Sequence, residues 1–136
     1  MLYKLSDGRV KEIPDAWWEV GGVADFVPES ECFRAFSPDE VEFGTFAIVP
    51  ILEVKPVYRS SGIALDFGGF DRDRLVRILR GFVAGSAMEP VKVIPTDDGR
   101  YKYTVYDGFH RFHASVAVNF AKLPVLVGKW GFSSVE

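Results

Sequence analysis

Polar and apolar residues alternate on both sides of Ser6-Asp7-Gly8-Arg9, with Leu2-Tyr3-Lys4-Leu5 before it and Val10-Lys11-Glu12-Ile13 after it. Two short period-two runs joined across Asp-Gly predict a β-hairpin. Pro14 to Trp18 then open a short helical turn, which Gly21-Gly22 stops. Residues 21–44 hold no sustained period and read as loop, with one helical turn where Ser37-Pro38-Asp39-Glu40 matches a capping box. Phe46 to Leu52 is an unbroken apolar, β-prone run between Gly44 and Pro56, the pattern of a buried strand. Lys55 to Gly62, with a proline and small residues, reads as a loop. From Asp71 to about Gly85 the pattern changes: Leu75, Ile78, Leu79 and Phe82 recur at helical spacing, arginines take the other face, and Asp71 stands at the N-cap position.

Period two returns in Pro90–Ile94 and Tyr101–Tyr106, joined across Asp97-Asp98-Gly99, which predicts a second hairpin. A helix from about Asp107 to Phe120 follows, with Phe109, Phe112, Val116 and Phe120 on its buried face, and Leu123 to Gly128 makes a last short strand. The tail from Gly131 to Glu136 reads as frayed. These elements predict an α+β fold, a mixed sheet with at least two helices packed on it.

Composition narrows the function more than the fold. A length of 136 residues fits one domain over 1–136, and twelve Phe supply a core for it. The net charge of −3 argues against a strong nucleic-acid binder, whose affinity comes mainly from Lys and Arg facing phosphates. Cys32 is the single cysteine, so neither an internal disulfide nor a cysteine metal cage can form within the chain, and its acidic neighbours make it a poor nucleophile. Apolar runs such as Thr45 to Leu52 are too short to span a bilayer, and polar residues interrupt the first eight positions, so a cytoplasmic protein is expected.

The richest chemistry lies in Tyr106-Asp107-Gly108-Phe109-His110-Arg111, where a strand turns through glycine into a helix. The first amides of a helix lack intrahelical partners and face its positive dipole end, which together make an anion site from backbone. Cationic residues in a first turn work against that dipole, so His110 and Arg111 fit the place better with an anion present. The plainer reading stays open beside it: Asp107 caps the helix, Gly108 relieves a turn and Arg111 is a solvated side chain. Asp107, His110 and His113 stand three residues apart each, but no further ligand can be identified and no metal site is assigned.

The segment YTVYDGFHRFHASVAVNFAKLPVLVG resembles the Asp-Gly-x-His-Arg segment of the ParB/sulfiredoxin superfamily. VPILEVKPVYR, RLVRILRG and EPVKVI resemble, in order, its opening strand and Pro-x-x-Arg loop, its first helix and its next strand. The resemblance covers residues 46–129, leaving 1–45 as an N-terminal extension. It implies a ParB/sulfiredoxin-like fold that holds a nucleotide, or a small phosphorylated ligand, by its phosphates. Gly108, His110 and Arg111 would then bind phosphate, with Arg59 reaching in from the opposite loop. If the domain also performs phosphoryl transfer or hydrolysis, Asp107 and His110 are the catalytic candidates and Mg²⁺ would accompany the nucleotide. Departures limit the carry-over, and one is Asn119-Phe120-Ala121 where related modules tend to have Gly after the helix. Phe109 stands where sulfiredoxins have their reactive cysteine, and Val57-Tyr58-Arg59 has no acid where related serine kinases place a base. A non-enzymatic regulatory or partner-binding module and a ParB-like DNA-binding domain are the alternatives.

Overall fold

Strands β1 (Leu2–Lys4) and β2 (Val10–Glu12) form an antiparallel ribbon in which Tyr3 stands opposite Lys11, and helix α1 (Asp15–Val20) follows it. These come from a computed structural model that describes residues 1–36, 44–59 and 66–128. The capping box at 37–40 and the tail at 131–136 lie outside the described residues.

The main sheet has five strands: β3 (Thr45–Pro50), β4 (Val54–Lys55), β5 (Val91–Asp98), β6 (Tyr101–Asp107) and β7 (Lys122–Val127). Their order across the sheet is β3-β7-β5-β6-β4. β7 runs antiparallel to β3 and parallel to β5, β6 runs antiparallel to β5, and β4 pairs parallel to β6. With helices α2 (Arg72–Ala84) and α3 (Phe109–Ala117), this is an α+β fold built on a mixed sheet.

Helix α2 has the ends its sequence requires. The Asp71 side chain accepts the Arg74 amide, and Gly85 closes the helix in the left-handed conformation at φ +69°. Its apolar stripe buries Leu75, Val76, Leu79 and Phe82. Helix α3 is shorter than the 107–120 expectation and more enclosed, with seven of its nine residues buried. One apolar cluster joins the ribbon's Tyr3 and Leu5, α2's Leu75 and Leu79, α3's Phe109 and Phe112, and the sheet's Val91, Val93, Leu123 and Val125.

β3 departs from the expected buried strand. It is an edge strand in which only Val49 is buried, while Ile48 is half exposed. Pro50, which has no N–H to donate, is tolerated at such a position. The continuously buried strand is β7, from Leu123 to Leu126, flanked by β3 and β5. Among the described residues no helix is long and apolar enough to cross a membrane.

Candidate functional site

β6 delivers the chain to α3 through Gly108, whose φ of +127° is closed to ordinary L-residues. A Cβ there would stand 2.9 Å from Val91 Cγ1, so both backbone and packing against β5 require glycine. The Phe112 amide donates to Gly108 O at 2.9 Å as the first helical bond. No side chain caps this helix and its first turn holds no acid. Asp107, read from sequence as a possible cap, is exposed and serves as the last residue of β6. The positive end of α3 is therefore presented by a glycine turn.

Two arginines lie against it, and the charge of a third reaches it. Arg59, in the loop after β4, stacks its guanidinium 4.4 Å from the centre of the Phe109 ring and donates to Gly69 O at 3.1 Å. Gly69 makes room for this, since a Cβ there would meet Arg59 Cβ at 3.2 Å and Phe109 Cζ at 3.3 Å. Arg74, in the first turn of α2, lies close enough for its charge to act on both His110 and Arg111. Arg111 folds back across Gly108, and one nitrogen donates to Glu89 O at 2.6 Å and to Pro90 O at 2.9 Å. Partial burial lowers its pKa, while the charges of Asp107 and Glu89 oppose that shift.

His110 occupies the site in a different state from the expected cationic donor. It is buried, and its Nε2 accepts the Asp71 amide at 2.9 Å, which places the ring proton on Nδ1. Burial first, then the charges of Arg59 and Arg74, push its pKa down to about 4. At neutral pH it is an uncharged ring tying the first turn of α3 to the N-terminus of α2. A local pattern could not have shown this, because the partner lies 39 residues away.

His113 stands apart from the site. Its Nδ1 accepts the Tyr3 hydroxyl at 2.8 Å and its Nε2–H donates to Val57 O at 2.7 Å, so both nitrogens are engaged. Asp107, His110 and His113 thus do not form a ligand set. Among the described residues no cluster of three or more His, Cys, Asp or Glu could hold a metal ion. Cys32 is half-buried, and its thiol pKa is raised by burial and by Glu31.

A groove of about 960 Å³ lies elsewhere, walled by Phe26, Phe36, Phe46, Ile48, Phe82 and Phe120. None of Arg59, Gly108, His110 or Arg111 lines it. Sequence reasoning also passed over Arg74 and Gly69. Arg74 carried no signal to separate it from the solvated arginines of α2, whereas the Gly68-Gly69 pair was visible as a place where backbone approaches closely. The chain matches no family model, and no curated protein is significantly similar to it.

Proposed function

We propose that this protein binds a nucleotide, or another small phosphorylated ligand, with its phosphates at the N-terminus of α3. One observation carries the reading. Arg59 and Arg111 lie at an uncapped helix start that the charge of Arg74 also reaches, and among the described residues no carboxylate forms an ion pair with any of the three. Asp107, Glu89 and Asp71 act on this group by charge without an ion pair to its arginines, so a phosphate would engage the free helix amides and the guanidinium donors. Gly108 lets a phosphate approach the amides, Arg111 flanks it, and Arg59 faces it from the opposite loop. The resemblance to the ParB/sulfiredoxin superfamily points to three of these positions, Arg59, Gly108 and Arg111, and not to Arg74.

Binding is favoured over catalysis by the state of His110. Its one basic nitrogen is committed to the Asp71 amide, so it is poorly placed to take a proton from a nucleophile. Asp107 is the exposed carboxylate beside the turn and the residue that could orient a water or a phosphate-bound Mg²⁺. With no protein cage among the described residues, a divalent ion would arrive with the phosphates.

The test is a titration followed by backbone amide NMR, using ATP and inorganic pyrophosphate, each with and without Mg²⁺. Shifts are expected to cluster at Tyr106 to Phe112 and to saturate. Arg59→Ala and Arg74→Ala should each weaken binding about tenfold, as loss of one charge-assisted contact does. Amides that stay still at saturating pyrophosphate and ATP sink the proposal.

A further inference from the structure

The N-terminal ribbon, which carries none of the resemblance, touches the candidate site through a set of side chains that all end at Arg59. Val57 and Tyr58, the two residues before Arg59, are each tied to it. The Tyr3 hydroxyl of β1 bonds His113 Nδ1, and the opposite nitrogen of that ring donates to Val57 O. The Tyr58 hydroxyl donates to Asp7 Oδ2 at 2.6 Å in the ribbon's turn. Asp7 is fixed in turn by the Arg9 amide on Oδ1 at 3.0 Å, and the Arg9 guanidinium lies 4.5 Å over the Tyr58 ring. On the other side of Arg59, Lys11 Nζ of β2 reaches Gly68 O at 3.5 Å, next to the Gly69 carbonyl that Arg59 holds.

We infer that the ribbon is a positioning element for the anion site, with Tyr58 and Asp7 as positioning residues that hold Arg59 stacked on Phe109. An arginine has several rotatable bonds, and leaving it free forfeits affinity when an anion must order it. Here the ordering is done beforehand. The residues preceding Arg59 are pinned to β1 and to the ribbon turn, and the side chain is laid between the Gly69 backbone and the Phe109 ring. Tyr58 itself need not touch the ligand. This inference rests on the anion-site reading for what Arg59 is positioned to do, but the positioning is measurable in the free protein.

Tyr58→Phe keeps the ring and removes only the hydroxyl that reaches Asp7; Asp7→Asn, which keeps an acceptor for the Arg9 amide, is the companion variant. The first readout is the Arg59 side-chain resonances in ligand-free protein, which the Phe109 ring current should displace from their free values. Both variants are expected to move these resonances toward the free values, as Phe109→Leu would. The second readout is affinity for pyrophosphate: Tyr58→Phe should lower it about three- to tenfold, with no further loss when added to Arg59→Ala. Unchanged Arg59 resonances in folded Tyr58→Phe and Asp7→Asn overturn the positioning, whatever the affinity does. A loss in Tyr58→Phe that persists in full on the Arg59→Ala background overturns it too, because Tyr58 would then act by another route. Wild-type protein that ignores pyrophosphate refutes the anion site, and the Arg59 resonances still decide the positioning.

Discussion

Arg111 carries a mechanical role along with the proposed electrostatic one. The sequence reads Arg111 as a phosphate ligand or a solvated side chain, neither of which holds the fold together. One nitrogen of its guanidinium holds the carbonyls of Glu89 and Pro90, just before β5 begins, so the side chain also fastens α3 to the sheet. Arg111→Ala should therefore lower unfolding stability by about 1–3 kcal/mol, the range for stranding acceptors that had a charged donor. It should also weaken anion binding. Arg111→Lys separates the two roles: a point charge is retained, but one ammonium on a flexible stem reproduces the two-carbonyl grip poorly. Urea denaturation and a pyrophosphate titration on both variants check this. The lysine variant is expected to keep most of the affinity while losing part of the stability. The sequence made Gly108 and Arg111 legible as neighbours in a turn. It could not reveal that Asp71 would come to rest on His110, because only the folded chain brings them together.

Elements were legible in proportion to how local their causes are. α2 could be read almost to the residue, because an Asp cap, an apolar stripe at helical spacing and a closing Gly all act within one stretch. The hairpin of β5 and β6 was legible from Gly99, which sits in its turn at φ +63°, though β5 runs on to Asp98, past the predicted end at Ile94. β3 was misplaced because an apolar run looks alike at the centre and the edge of a sheet; its place is set by β7, more than seventy residues on. Glycines show the same distinction between local and long-range causes. Gly99 lies in the left-handed region with nothing within 4 Å of an added Cβ, so Gly99→Ala should cost only about 1 kcal/mol. Gly108 combines φ +127° with a 2.9 Å approach to Val91, and Gly108→Ala should cost about 2–4 kcal/mol. Adding Val91→Ala should not restore the loss, because removing the clash leaves the backbone strain and opens a cavity. Urea midpoints of the three variants give the ranking.

At the scale of the whole molecule, ribbon, helices and sheet share one core, and two histidines sit within it as neutral rings. Both have pKa values pushed down to about 4, His110 by burial and then Arg59 and Arg74, His113 by burial, which outweighs the opposing Val57 hydrogen bond, with Lys11 and Arg59 adding to it. The unfolded chain binds these protons near pH 6.5 and the folded chain only near 4. Between those values the unfolded state holds more protons, so unfolding free energy rises with pH. The stabilisation is fully present above about 6.5 and is lost as pH falls toward 4. Each unit of depression is worth about 1.36 kcal/mol, so the two histidines together make acid a substantial destabilising force on a marginally stable domain. Asp7 and Asp71, whose pKa values are lowered from 3.8, add to the loss only below about pH 5, so the upper part of this window reports the histidines. Urea denaturation from pH 7.5 to 4 should show the midpoint falling steeply below 6.5, with a slope approaching two protons. His113→Gln removes one titrating ring and should start from lower stability at pH 7.5, because the Tyr3 and Val57 bonds are disturbed, yet decline with a slope near one proton. An unchanged two-proton slope in His113→Gln, or a flat wild-type profile between 6.5 and 4, would show that the neutral His113 is not what makes the fold sensitive to acid.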